Sequence, residues 1–141
     1  MNSFQNTFIL FDSAIGSLPE FPSLLWIDGK QNLDFIKLFK FLKKELTLPN
    51  YSQPNLDSLD EILNDPDWIE ERMGLRIMIK NYPNLLFKEM PTRKKSFITI
   101  LNSMASSFGY ETVWIEDCAE IREDLIELGF SFKPQENKTP Y

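Results

Sequence analysis

The sequence contains no histidine and a single cysteine, Cys118. The first absence removes the commonest general base, the usual Ser/His and Cys/His nucleophile pairs and the commonest zinc ligand. The second excludes an internal disulfide and, without histidine, leaves too few ligands for a structural zinc site. A chain without disulfides suits a reducing compartment, so a cytoplasmic location is expected. Gly16, Gly29, Gly74, Gly109 and Gly129 stand singly, and no glycine-rich phosphate loop can be built from them. No apolar run approaches the roughly 20 residues that cross a bilayer. The amino end lacks a basic leader ahead of an apolar core, so neither a membrane anchor nor a secretory signal is expected. These absences point away from an enzyme, and no cofactor or metal is expected.

What is present reads as one domain spanning residues 1–141. With 43% apolar and 26% charged residues, the chain is long enough to bury a core without cross-links. Its charge is unevenly spread. Residues Tyr51 to Glu71 hold seven acids and no base, and Glu111 to Glu127 hold seven acids against Arg122 alone. With the whole chain at −6, everything else sums to +7. Such acidic stretches on a weakly basic body repel nucleic acid and attract a basic protein, although a charge run is more often plain solvated surface. The basic triplet Arg93-Lys94-Lys95 is too short, in too acidic a chain, to read as a nucleic-acid contact.

Three short runs, Leu24–Ile27, Leu75–Ile79 and Thr112–Ile115, are nearly continuous in apolar residues, as parallel strands covered on both faces are. Helical patterns lie between them, which predicts an α/β domain with crossover connections. The first helix is expected over Leu33–Leu46 with Asn32 as its N-cap; Lys37, Lys40 and Lys44 share a solvated face. Leu48-Pro49 stops it, and a polar loop leads to a second helix over Leu56–Leu63 capped by Asn55. There Leu56, Leu59 and Leu63 face inward, while Asp57, Asp60 and Glu61, at i, i+3 and i+4, project together on another face. Asp57 favours the helix dipole; Asp60 and Glu61, a turn later, repel it and each other. Repulsion tolerated without local compensation points to a partner.

Farther on, Trp68 leads toward the second strand. It sits among acids, and reads either as core, like Trp26 and Trp114, or as an interface anchor. A weak helical pattern covers Asn84–Met90, and Pro91 opens a longer helix. Cys118–Leu128 reads as an acidic amphipathic helix closed by Gly129. Phe8–Phe11 and the Phe130/Phe132 pair are candidates for extra edge strands, and residues 133–141 for a frayed tail.

Leu42-Lys43-Lys44-Glu45-Leu46, then Leu48-Pro49-Asn50-Tyr51, then Asn55-Leu56-Asp57-Ser58-Leu59 closely resemble the barstar-type ribonuclease inhibitors. The likeness begins near Trp26-Ile27-Asp28-Gly29-Lys30, is continuous to Leu63, and continues by element order to about residue 116. Residues 1–22 and 117–141 look like additions to this core. The resemblance implies a barstar-like α/β fold: a small three-stranded parallel sheet flanked by helices, with extra terminal segments. It also implies a bacterial immunity protein, monomeric when free, whose loop and second helix enter the active site of a cognate basic toxin nuclease. On that likeness Tyr51 packs on the enzyme's rim, Asn55 is chiefly structural, Asp57 is a contact, and Glu61 takes the place of the principal aspartate. This chain departs from the pattern at Asp60, where a tryptophan is usual, at Ser52, where a second aromatic is usual, and at Gln53-Pro54. The expected contact set is therefore Tyr51, Gln53, Asn55, Asp57, Asp60, Glu61 and Trp68. An alternative is an adaptor domain of the same fold whose acidic edge binds another basic protein.

Overall fold

The structure is a computed structural model that describes residues 6–12, 23–108 and 111–136. The rest of the amino-terminal extension, Gly109 and the end of the tail lie outside the described residues.

The three expected strands are present as β2 (Ser23–Asp28), β3 (Leu75–Lys80) and β4 (Val113–Glu116). Two more, β1 (Thr7–Phe11) and β5 (Ser131–Pro134), enlarge the expected three-stranded sheet to five, ordered β2-β3-β4-β1-β5 and parallel throughout. β1 is no edge strand. Phe8, Ile9, Leu10 and Phe11 are all buried, and the strand lies between β4, with Ile9 opposite Trp114, and β5, with Phe8 opposite Phe132. Four consecutive apolar residues suit an internal strand packed on both faces. β5 is an edge strand, opposite β2, and it draws Lys133 and Pro134 out of the expected tail into the sheet.

From β2 to β3 to β4, and then past β1 to β5, the chain moves steadily in one direction across the sheet. Right-handed crossovers then place every connecting helix on the same face. The packing agrees. Leu25, Ile27, Ile77, Ile79, Val113, Ile115, Phe8 and Leu10 join the helices in one large core, while Ile9, Phe11, Met78 and Trp114 form a small cluster on the opposite face.

The helices are α1 (Phe35–Glu45), α2 (Leu56–Leu63), α3 (Pro66–Glu71), α4 (Pro91–Phe108) and α5 (Ala119–Leu128). α1 starts later than expected, because Gly29–Gln31 form a 3-10 turn and Asp34, not Asn32, accepts the Lys37 amide at 2.9 Å. That turn needs its glycine: a Cβ on Gly29 would lie 2.0 Å from the Asn81 carbonyl oxygen. The expected helix over Asn84–Met90 is absent. Pro83 and the left-handed Leu86 (φ 54°) interrupt it, and the Leu86 and Lys88 amides bond to Asn32 and Leu33 carbonyls at 2.9 Å instead of to their own segment. α5 closes at Gly129 (φ 75°), as its sequence predicts. α2 packs on α4, and α3 touches both. No helix among the described residues is long and apolar enough to cross a membrane.

Candidate functional site

The loop between α1 and α2 is held at every step. At the end of α1, Thr47 turns left-handed (φ 52°) and the Leu48 amide reaches back to the Lys43 carbonyl at 3.0 Å. This is the six-to-one bond that closes a helix, with buried Leu48 as its apolar anchor. Arg72, just after α3, takes up the carbonyls left open there: Nε and Nη2 donate to Leu46 O at 3.2 and 3.0 Å, and Nη2 to Thr47 O at 3.4 Å. Pro49 and Ser52 then close a turn through the Ser52 amide (3.0 Å) and hydroxyl (2.6 Å), both donating to Pro49 O. Ser52 is buried, so the position where the family carries a second aromatic serves to close the loop.

α2 begins on a reciprocal clamp. Asn55 Oδ1 accepts the Ser58 amide at 2.7 Å, and Ser58 Oγ accepts the Gln53 amide at 2.9 Å. The Asn55 side chain is thereby spent on the cap. Gln53 is exposed, and its side-chain Nε2 donates to Tyr51 O at 3.4 Å. Tyr51 stands out from the loop, 76% exposed. Leu59, Ile62 and Leu63 bury the inner side of α2, and Asp57, Asp60 and Glu61 are exposed on the outer side. Asp60 Oδ1 accepts from Asn64 Nδ2 at 2.8 Å. None of the three makes an ion pair among the described residues.

Trp68 corrects the expected contact set. It is 6% exposed, on the inner side of α3, with the Arg72 guanidinium 4.6 Å from its ring centroid, which places it in the core and not on the surface as an anchor. Its helix went unread in the sequence, although Asp65-Pro66 is an N-cap followed by proline at the first helical position. That helix brings further acids beside the loop. Asp65, Asp67 and Glu71 line a cleft of about 280 Å³ together with Pro49, Tyr51, Trp68 and Arg72.

The two acidic stretches have different fates. All seven carboxylates between Tyr51 and Glu71 are exposed, and only Glu71 makes an ion pair among the described residues, with Arg72 at 3.4 Å. In the second stretch, Glu111 pairs with Lys133 and Glu127 with Lys95 at 2.5 Å, and Glu120 pairs with buried Lys94. Asp117 binds Arg122 at 2.7 Å, which holds its carboxyl below the usual range. Glu116 accepts the Asn81 amide at 2.9 Å, and Asp124 accepts the Tyr82 hydroxyl at 2.7 Å. The basic triplet is consumed in the same way, since Arg93 pairs with Glu89 at 3.7 Å. Cys118 is half-buried at the start of α5, and burial pushes its thiol up, away from thiolate chemistry. Among the described residues no group of three or more Asp, Glu or Cys is arranged to hold a metal.

The domain is a small parallel α/β fold that sets a row of exposed carboxylates, without ion pairs among the described residues, on a hydrogen-bonded loop and short helix. The family model described as "Barstar (barnase inhibitor)" matches residues 23–121, and the chain belongs to that family. A search of curated proteins finds no match. The matched range holds the loop, α2 and α3; β1 and β5 lie outside it.

Proposed function

We propose that this chain is an inhibitor of immunity type, which binds a cognate ribonuclease toxin and blocks its active site with the α1–α2 loop and α2. One observation carries the reading: Asp57, Asp60 and Glu61 are exposed together on a clamped helix and make no ion pair among the described residues. A ribonuclease gathers lysine and arginine to hold RNA phosphates, and a fixed row of carboxylates competes for the same donors. Glu61 would enter the phosphate position with Asp57 beside it, Tyr51 would pack on the rim, and Asn55 and Gln53 would hold the approach. Because the loop is ordered before binding, little further entropy is lost in the complex. The protein would act in the cytoplasm as a monomer, touching the nuclease and not RNA.

The test begins with co-purification of the chain with the basic product of a neighbouring gene, followed by inhibition assays on that nuclease. Asp57→Ala and Glu61→Ala should each weaken inhibition by about tenfold or more, because each strands a cation of the partner, while the melting temperature stays put. If both substitutions are silent against a nuclease that the parent chain inhibits, the ridge is not the contact.

A further inference from the structure

We infer that the entry of α1 and the loop after β3 form a second docking surface, which takes an acidic peptide segment of a partner anchored by one apolar side chain. This surface lies outside the carboxyl ends of β2 and β3, where ligands of open parallel sheets commonly bind. The α1–α2 loop is at the other pole, tied by Arg72 to the start of β3. The two surfaces can be occupied together, so the second goes beyond the proposed nuclease contact and does not depend on it.

The first observation is positive charge that the fold leaves unspent. On α1, Ile36, Lys40 and Lys44 stand at i, i+4 and i+8 on the exposed side, with Lys37 and Lys43 flanking the row. Lys88 joins them, because the Leu86 and Lys88 amides bond to the Asn32 and Leu33 carbonyls at 2.9 Å. None of these lysines makes an ion pair among the described residues, whereas Lys80, Arg93, Lys94, Lys95, Arg122 and Lys133 all do. Asp34 is engaged at the helix cap and Glu45 stands at the far end, so a positive surplus remains. Such a surplus complements carboxylates.

The second is apolar surface on a braced main chain. Phe87 and Met90 are 72% and 71% exposed, and Ile36 is 48% exposed. The loop that carries the first two is not loose. The Leu85, Phe87, Glu89 and Arg93 amides bond to the Tyr82, Asn84, Leu86 and Met90 carbonyls at 2.9–3.0 Å, and Leu86 is held left-handed at φ 54°. Large apolar side chains fixed in water beside unpaired lysines mark a contact surface.

The third is a pocket of about 420 Å³ lined by Pro83, Leu85, Leu86, Phe87 and Pro91. The charged groups along it are already matched: Glu120 binds Lys94, Lys95 pairs with Glu127, Glu89 pairs with Arg93, and Asp124 accepts the Tyr82 hydroxyl. What the pocket offers is apolar wall for one leucine or aromatic side chain, with Lys88 and Lys37 for the carboxylates that flank it. This combination favours a peptide. A bilayer surface needs protruding apolar groups but no pocket, and a nucleic acid would bring its phosphates against Glu89, Glu120 and Asp124.

The probe is the end-capped hexapeptide Asp-Glu-Phe-Leu-Glu-Asp, titrated to millimolar concentration into the ¹⁵N-labelled chain. Asp-Glu-Ser-Ser-Glu-Asp and Lys-Lys-Phe-Leu-Lys-Lys are its controls. The acidic apolar peptide should shift the amides of residues 33–37 and 85–91 and leave those of residues 53–63 in place, and neither control should reproduce that pattern. Lys37→Glu with Lys88→Glu should raise its dissociation constant by about tenfold, and Phe87→Ser by about fivefold. Both variants change exposed side chains, and an unchanged melting temperature shows that the fold is kept. No shift at 33–37 and 85–91, an equal response to the serine peptide, or binding of phosphatidylserine vesicles with the peptides silent overturns the docking surface. Each of those failures leaves the proposed nuclease contact through Asp57 and Glu61 standing.

Discussion

Tyr82 shows how a single side chain can set the alkaline limit of this protein. Its ring is fully buried, its hydroxyl donates to Asp124, and Lys94 Nζ sits 4.0 Å from its centroid. Burial first, and then the bond to Asp124 and its charge, push the phenol far above its ordinary value. The folded chain therefore keeps a proton that the unfolded chain releases near pH 10. Stability from this group is complete below about pH 10 and drains away as the pH rises beyond it. Tyr82→Phe should lower stability at neutral pH through the lost hydrogen bond, but flatten its decline between about pH 9 and 11. Urea midpoints of the two proteins across that range check this, and parallel declines would show that another group is responsible. None of this was legible in the sequence, since Tyr82 and Asp124 are 42 residues apart and nothing local pairs them.

At the scale of the element, local rules read well where a segment's bonds are its own. α2 and its Asn55 cap, α4 from Pro91 and α5 to Gly129 all lie where spacing and caps predict. The reading fails where a segment spends its backbone on distant partners: Leu86 and Lys88 bond to the entry of α1, and a helical pattern becomes a string of turns. The closure of α1 is a third case. Its left-handed position is held by Thr47, a β-branched residue where glycine is the usual choice. The strain is tolerated because Arg72 holds the Leu46 and Thr47 carbonyls and Leu48 is buried just beyond. Thr47→Gly should raise stability by about 1 kcal/mol, the relieved strain outweighing the added freedom of the unfolded chain. Thermal and urea unfolding would read it, and a lower melting temperature would mean that the Thr47 side chain supplies a contact worth more than the strain.

Across the whole molecule the deciding quantity is where the uncompensated charge lies. Two stretches with seven acids each look alike on paper. In the fold, six acids of one are paired with three lysines, an arginine, a backbone amide and a phenol, and the other faces solvent with one ion pair among the described residues. A field concentrated on one edge steers a basic partner to that edge, and salt screens it. Association with the proposed nuclease partner should therefore slow steeply as ionic strength rises from about 0.01 to 0.15 M. Asp57→Asn should slow it far more than Glu127→Gln, although both remove one formal charge; equal effects in stopped-flow measurements would place the steering field elsewhere.

Composition and spacing alone settled the α/β class, the strands β2, β3 and β4, the caps that shape α2 and the face on which Asp57, Asp60 and Glu61 project. These follow from periodicities of a few residues, which depend on nothing distant. Only the tertiary structure decided that β1 is internal, that Trp68 is core, that α3 forms a cleft with Tyr51, and which acidic stretch stays free. Each of those depends on groups far apart in the chain meeting across the core, and no local pattern encodes which partner a carboxylate, an indole or a strand edge will find.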